Sequence, residues 1–133
     1  MPTFKYAKLV RDKIPGWHVE EGHTVKGRQL SKEELKAALI EKLRDEADEI
    51  DGALSQEDLI EEIGDMQQII DDLCVVMGIR KEALAAVIAK KTDRKGGFLN
   101  GEFIETVTIP NEDDKWAQYC RQAPEKYPEV IDE

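Results

Sequence analysis

The sequence predicts a mainly α-helical fold, an antiparallel helical bundle with a small β-hairpin appendage. Two observations predict the helices, because apolar residues recur at spacings of three and four over residues 32–54 and again over residues 55–77. A third observation concerns the core. Of the 133 residues, 41% are hydrophobic but only 6% are aromatic, so aliphatic side chains must fill most of the core, which suits packed helices.

The first long helix is predicted by its start as well as by its periodicity. Residues 3–15 mix basic and apolar side chains and end in a proline, and residues 16–31 contain three glycines, which is typical of a loop. Ser31 is then a suitable N-cap, and Glu34 three residues later completes a capping box. We therefore expect a loop over residues 16–31 and a helix over residues 32–54.

The second long helix has the clearest pattern in the chain. Its apolar residues alternate at spacings of four and three and form one continuous stripe, which consists of Leu59, Ile63, Met66, Ile70, Leu73 and Met77. Ser55 can cap this helix and Gly78 ends it. Because the link from the first helix is only a few residues long, we expect the two helices to be antiparallel neighbours.

A third helix and a hairpin are predicted farther along the chain. Residues 80–94 form a helical pattern whose expected buried side consists of Leu84, Val87, Ile88 and Ala89. Two glycines at 96–97 then break the pattern. Residues 98–109 are predicted to form two short strands, with Asn100 and Gly101 as the turn of a β-hairpin.

The remaining residues divide the chain into a domain and an extension. Residues 111–133 are acidic, contain two prolines and hold at most one short helix, around residues 116–121. A chain of this length supports one core comfortably and two only with difficulty. We therefore predict one domain over residues 1–110, followed by an acidic C-terminal extension over residues 111–133.

Charge and hydropathy narrow the classes of partner. The formal net charge is −10, from 29 acidic against 19 basic residues, and a field of this sign repels nucleic-acid backbones and anionic membranes. The N-terminus has no apolar signal segment, and no apolar run approaches the length of a membrane span. We therefore expect a cytoplasmic protein that binds neither nucleic-acid polymers nor membranes.

Acidic side chains fall where the helical pattern predicts burial. On the first long helix Glu46 lies in the centre of the apolar face, and Glu49 lies at its flank on the same side. On the second helix Glu62 borders the apolar stripe, and Asp65 follows three residues later. An ionised carboxylate without a partner in an apolar seam costs on the order of several kcal/mol, so these acids require a compensating group.

A divalent metal ion is one such group. Antiparallel packing can bring the four acids into one cluster, and oxygen-only ligands favour Mg²⁺ or Mn²⁺. The pattern leaves open an alternative, a buried ion-pair network with Lys42, Arg44 or Lys91. A di-iron site is disfavoured because it normally uses Glu-x-x-His pairs, whereas both histidines precede the first long helix.

Two basic segments are candidates for holding an anion near such a cluster. The first contains Lys8, Arg11 and Lys13, and the second contains Lys91 and Arg94 followed by the glycine pair. Positive side chains of this kind offset the charge of bound phosphates. Each segment also has a structural interpretation, because basic residues are common in solvated turns and at helix C-termini.

Taken together, three segments resemble the MazG-like all-α nucleoside triphosphate pyrophosphohydrolase superfamily, in particular its small phosphoribosyl-ATP pyrophosphohydrolase-like branch. The first segment is KLVRDKIP at residues 8–15, and the last is KKTDRKGGF at residues 90–98. Between them lie EKLRDEADEI and EEIGDMQQII, which carry the paired acids. The segments occur in the family's order, and the resemblance covers roughly residues 5–109.

The resemblance implies a function, an assembly and a site. The function is cleavage of the α–β phosphoanhydride of a (d)NTP or related nucleotide to a monophosphate and pyrophosphate, by a homodimer or homotetramer. The implied Mg²⁺ ligands and catalytic residues are Glu46, Glu49, Glu62 and Asp65, and the implied phosphate contacts are Lys91, Arg94, Lys8, Arg11 and Lys13. The alternatives are a phosphoribosyl-ATP pyrophosphohydrolase, a non-catalytic helical interaction module, and a nucleotide sensor that the intact set of acids disfavours.

Overall fold

The chain is mainly α-helical, as predicted. A computed structural model describes residues 1–131, which contain five helices and no strand. The helices are α1 (Ile14–Glu20), α2 (Lys32–Asp51), α3 (Gln56–Val76), α4 (Lys81–Lys95) and α5 (Lys115–Arg121). They belong to two compact units, Met1–Arg94 and a second that begins at Lys95. The division predicted after residue 110 stays a prediction.

The start of α2 confirms the predicted capping box. The Glu34 amide donates to Ser31 Oγ at 3.2 Å, and the Ser31 amide donates to Glu34 Oε1 at 3.2 Å. Arg28 adds two hydrogen bonds to the same Glu34 carboxylate, at 3.0 and 2.6 Å. These contacts satisfy amide groups that the first turn of a helix leaves without partners, and so they fix where α2 begins.

The helices α2 and α3 form an antiparallel hairpin. Ser55 caps α3 by accepting a hydrogen bond from the Asp58 amide at 3.1 Å, and only residues 52–55 connect the two helices. Within residues 1–131, this is the one pair of helices that packs together along a substantial length. The antiparallel neighbours are therefore confirmed, whereas a complete bundle stays a prediction.

The core of this hairpin is small and contains an acid. Leu39 and Ile69 are the buried apolar residues of the described chain, and Glu46 is the buried charged residue. Other inward-facing aliphatic side chains of α2 and α3 are half-buried. A core of this size is small for a chain of 133 residues, so much apolar surface stays in contact with solvent.

The buried face of α3 is turned relative to the predicted stripe. Ile69 is buried and Glu62 is half-buried, whereas Ile63 is 51% exposed and Met77 is exposed as well. Ile63 and Met77, two members of the predicted apolar stripe, therefore lie outside the core. A stripe drawn through apolar residues alone passes beside Glu62, although this acid occupies a position that faces α2.

The apolar side of α4 is largely uncovered. Leu84 is half-buried, but Val87 and Ile88 are each more than half exposed, and Ala89 is exposed too. The prediction of a buried side for this helix is therefore wrong for three of its four residues. Within the described residues, α4 packs too little against the other helices to bury that side.

The predicted loop before α2 contains a short helix. Pro15 occupies the first turn of α1, where its missing amide hydrogen costs no hydrogen bond and its fixed φ angle suits a helix. Pro15 therefore lies at the start of a helix and not at the end of the segment over residues 3–15. After α1 the chain turns, and His23 Nδ1 lies 2.9 Å from His18 Nδ1.

The β-hairpin predicted over residues 98–109 is wrong. The turn itself is present, because the Gly101 amide donates to the Phe98 carbonyl at 3.2 Å and Gly101 has a φ of 68°. The flanking segments form no ladder, and Phe103, Ile104 and Val107 are exposed. An isolated two-stranded hairpin is marginally stable in water, and here no covered face stabilises it.

The second unit contains the short helix predicted around residues 116–121. Asp114 caps α5 by accepting a hydrogen bond from the Trp116 amide at 2.8 Å. Arg121 then binds Glu112 at 2.8 Å and Glu129 at 3.0 Å, which ties the segments on both sides of the helix together. No helix in residues 1–131 is long and apolar enough to cross a membrane.

Candidate metal centre

Helix α2 places Glu46 on its inner face. Leu39 and Leu43 precede this residue by two turns and one turn, and Ile50 follows it by one. The result is that Glu46 as a residue is 8% exposed within an aliphatic seam. The predicted position of Glu46 is therefore confirmed, and the reason is the helical spacing of its apolar neighbours.

Three carboxyl groups meet between α2 and α3. Glu46, Glu49 and Glu62 each have one oxygen atom in a group whose members all lie within 4.8 Å of one another. Glu46 is buried, Glu62 is half-buried and Glu49 is exposed at the rim. Two oxygens on one Mg²⁺ lie at most about 4.2 Å apart, since each bond is about 2.1 Å, so small side-chain rotations suffice for a shared ion.

The cluster requires a proton or a cation. Glu46 Oε2 and Glu62 Oε2 are buried and have no hydrogen-bond partner. Two ionised carboxylates cannot bond to each other, because both are acceptors. Burial raises the pKa of Glu46. The close approach of the Glu46 carboxyl group and of the Glu49 carboxyl group, followed by desolvation, raises the pKa of Glu62 to about 7. Without a metal ion, the cluster therefore retains a proton close to neutral pH.

Asp65 lies beside this cluster and has a partner of its own. It follows Glu62 by three residues on α3, and its charge contributes to the raised pKa of Glu46. Its Oδ1 atom accepts a hydrogen bond from Arg11 Nη2 at 2.5 Å. Asp65 is not a member of the 4.8 Å group, so the structure brings three of the four predicted acids together and holds the fourth at the edge.

The alternative of a buried ion-pair network has little support. Arg44 pairs with Glu41 at 3.1 Å on the exposed side of α2. Across residues 1–131, Lys42 and Lys91 form no ion pair with any of the four acids. The one basic residue that does so is Arg11, and it binds the most peripheral of them.

The other predicted phosphate contacts form no ion pair with the cluster in residues 1–131. Lys8 Nζ lies 5.7 Å from the centre of the Tyr6 ring, and Lys13 is the N-cap of α1. Lys91 and Arg94 are exposed near the end of α4. In the described part of the chain none of these four forms an ion pair with the acids, so their role in binding phosphate stays a prediction.

The sequence does not predict the pairing of Arg11 with Asp65. The two residues are 54 positions apart, and Arg11 lies in a segment without regular structure before α1. Helical periodicity relates residues within one helix and carries no information on such a contact. The sequence therefore identified Arg11 as a candidate but not its partner.

The residues present fit a hard divalent cation. All of the converging atoms are carboxylate oxygens, the donor type that Mg²⁺ and Mn²⁺ prefer. In addition, Glu46 as a residue is more than nine-tenths buried, and its Oε2 atom is buried without a hydrogen-bond partner. A buried oxygen of this kind is costly unless a partner compensates it, and a cation between α2 and α3 supplies one.

The function has to be inferred from these side chains. No family model, curated protein sequence or solved structure matches the chain. The resemblance to MazG-like pyrophosphohydrolases, which depends on three short segments, stays a hypothesis. The geometry of the acids on α2 and α3 is the observation from which a function can be argued.

Proposed function

We propose that this chain is a nucleotide pyrophosphohydrolase that requires a divalent cation. The proposed reaction cleaves the α–β phosphoanhydride of a (d)NTP or related nucleotide and yields a nucleoside monophosphate and pyrophosphate. The observation that carries the proposal is the convergence of Glu46, Glu49 and Glu62 around a buried, unpartnered oxygen. Hydrolysis of an anhydride between phosphates needs the developing negative charge to be stabilised, which an acidic protein achieves through bound cations.

The proposed cofactor is Mg²⁺, with Mn²⁺ as an alternative. Glu46 and Glu62 would hold it from the inside of the hairpin, Glu49 would hold it from the rim, and Asp65 would complete the set. A bound ion of this type supplies Lewis acidity toward phosphate oxygens and lowers the pKa of bound water. The exposed side of Glu49 leaves the cluster open to a substrate that arrives from solvent.

The chain's own residues have distinct proposed roles. Glu46 is too deeply buried to contact bulk water, so it serves as a ligand. Glu49 is exposed and is the better placed acid to accept the proton of the attacking water. Lys91 and Arg94, with Lys8, Arg11 and Lys13, would bind the substrate's phosphates and reverse the local effect of the chain's negative charge.

The test is pyrophosphate release from a panel of NTPs, dNTPs and phosphoribosyl-ATP, with and without Mg²⁺. Glu62→Gln should lower the rate by about 100-fold or more, because it removes a ligand from the centre. Glu61→Gln is the matched control, since Glu61 is its exposed neighbour and the same charge is removed. The proposal is supported if pyrophosphate release needs Mg²⁺, is lost in Glu62→Gln and is retained in Glu61→Gln.

Two results would count against this function. The first is no release from any substrate while the protein is folded, and the second is equal release from the two glutamine variants. The ranking of substrates decides between a general (d)NTP enzyme and a phosphoribosyl-ATP pyrophosphohydrolase. The first result would favour the non-catalytic helical interaction module.

We further propose that the chain assembles as a homodimer or homotetramer in the cytoplasm. Ile60 and Ile63 on α3, and Val87 and Ile88 on α4, are each more than half exposed. Exposed aliphatic residues grouped on helices mark surfaces that pack against another molecule, and a second hairpin would complete a helical bundle. The same exposure favours the interaction module, so the turnover assay above is what separates the two functions.

A further inference from the structure

The contact between Arg11 and Asp65 places a protein cation at the edge of the acidic cluster. Arg11 Nη2 lies 2.5 Å from Asp65 Oδ1, and the two side chains are 58% and 41% exposed. Exposed ion pairs contribute little net stability. Arg11 also belongs to a segment without a helix, so its side chain can leave Asp65 at small cost.

Asp65 lies between the positive charge of Arg11 and the negatively charged acidic cluster. On one side it binds the guanidinium group of Arg11. On the other side its charge acts on Glu46, and it lies on the same edge of α3 as Glu62, three residues away. A cation bound by Glu46, Glu49 and Glu62 would therefore attract Asp65 and repel Arg11.

We propose that Arg11 is an exchangeable counter-cation of this centre, an inference that rests on the metal site of the proposed function. In the metal-free protein Arg11 binds Asp65 and keeps it out of the cluster. When a divalent cation binds, Asp65 joins the other three acids and Arg11 is released. The freed guanidinium group then lies close to the ion, where a phosphate group of the substrate can accept its hydrogen bonds.

The exchange predicts that Arg11 changes the affinity of the protein for a metal ion. This effect can be measured without substrate. Arg11 opposes metal binding, because it occupies a ligand and adds a positive charge nearby. Removing it by Arg11→Gln should tighten Mn²⁺ binding by about 10-fold. Removing the ligand by Asp65→Asn should weaken binding by about 10- to 100-fold. In the double variant, Arg11→Gln should tighten binding much less, because no Asp65 carboxylate is left to release.

The experiment is calorimetric titration of Mn²⁺ into the full-length chain without nucleotide. Arg28→Gln is the matched control, because Arg28 also pairs with one carboxylate, Glu34 at 2.6 Å, and the two side chains are 64% and 45% exposed. This variant changes the net charge equally but should bind Mn²⁺ like the wild type. Arg11→Lys keeps the positive charge, so its affinity should lie between those of wild type and Arg11→Gln.

The outcomes separate this inference from the proposed function. Unchanged or weaker Mn²⁺ binding by Arg11→Gln, with Arg28→Gln like the wild type, overturns the exchange alone. Absence of Mn²⁺ binding by the wild type overturns both the exchange and the metal site. The expected Arg11 dependence without turnover of any nucleotide supports the exchange and overturns the proposed enzyme.

Release of Arg11 can also be observed directly. In a titration of the wild type with Mg²⁺, the Nε–Hε nuclear magnetic resonance signal of Arg11 should shift, because the guanidinium group loses its carboxylate partner. In Asp65→Asn the signal should not move on addition of Mg²⁺. A wild-type signal that stays in place while Mg²⁺ binds would overturn the exchange.

Discussion

Glu46 and Glu62 project carboxyl groups from two helices into the same narrow space. One of them is deeply buried and the other is half-buried, so water screens their repulsion poorly. Either a shared proton or a bound cation has to reduce that repulsion. Protonation would therefore compete with the proposed metal ion at this position, and conditions that remove protons would favour that ion.

Because a shared proton reduces the repulsion between Glu46 and Glu62 when no metal ion does so, we predict that the metal-free protein loses stability as the pH rises. Glu62 has a pKa of about 7 in the folded chain, against an ordinary value of 4.5. Between these values the folded state binds a proton that the unfolded state has released, so the free energy of unfolding falls as the pH increases. We expect the loss to run from about pH 4.5 to about pH 7 and to level off above.

The measurement is urea denaturation in EDTA across that range, for the wild type and for Glu62→Gln. Other acids also change stability with pH, so the difference between the two proteins isolates the contribution of Glu62. As the pH rises, the free energy of unfolding of the wild type should fall relative to that of Glu62→Gln. A difference that is flat, or that rises with pH, would contradict the raised pKa.

Replacement of Glu46 by leucine should stabilise the metal-free protein while removing its response to metal. An uncompensated buried carboxyl group in an aliphatic seam is unfavourable, and apolar replacement of buried charges often gains about 1–3 kcal/mol. Denaturation with and without Mn²⁺ measures both effects. Glu41→Leu, on the exposed side of α2, should change stability little and keep the response. A destabilised Glu46→Leu protein would mean that Glu46 already has a stabilising partner.

Single residues also show how far sequence can predict a site. Glu46 could be found because three aliphatic residues at helical spacing surround it, so its burial follows from the geometry of one helix. The contact of Asp65 with Arg11 could not be found, since it joins residues 54 positions apart. Contacts of that range depend on how a segment folds back, which no local pattern records.

Among the elements, α2 begins where a local network of side chains determines it. Ser31 accepts the Glu34 amide hydrogen, and Arg28 binds the Glu34 carboxylate. Ser31→Ala should therefore lower the free energy of unfolding by about 1 kcal/mol, whereas Ser31→Asp should retain most of it. Urea denaturation at fixed pH measures the difference. Equal losses in both variants would show that the hydroxyl group does not act as a cap.

Helices and strands were predicted correctly where the signal comes from residues close together in the chain, and incorrectly where it depends on distant ones. The starts of α2 and α3 were predictable because serine caps act within one turn. The apolar stripe of α3 marked its inner face only in part, because an inward-facing acid, Glu62, does not fit a stripe of apolar residues. Sites that bind charged ligands commonly break local rules in this way. The hairpin at residues 98–109 failed because strands depend on neighbouring structure that a turn does not supply.

For the whole molecule, the uncovered apolar side chains predict an assembly. Ile63→Lys on α3 should shift the protein toward single chains, because a charge in a contact surface between helices is costly. Gln67→Lys, one turn farther along and also exposed, is the control. Sedimentation equilibrium distinguishes the states. A wild-type protein that sediments as a single chain at all concentrations would contradict the assembly.

The sequence predicted the helical class of the whole molecule better than its packing. Two amphipathic helices with a short link determine a hairpin, since only antiparallel packing buries both faces. The exposure of one side of α4 was not predictable, because burial depends on contacts between helices, and the pattern within one helix does not describe them. Val87 and Ile88 were expected in a core that the described residues do not form around them.

All four acids of the proposed metal site come from one short stretch of the chain. Glu46 and Asp65 bound that stretch, and within it the chain reverses through residues 52–55. Closing a loop this short is fast, whereas contacts between distant segments form more slowly. These acids would therefore come together early in folding, before Arg11 reaches Asp65. An ion present at that moment would meet a more negative and more accessible cluster than the one in the finished protein.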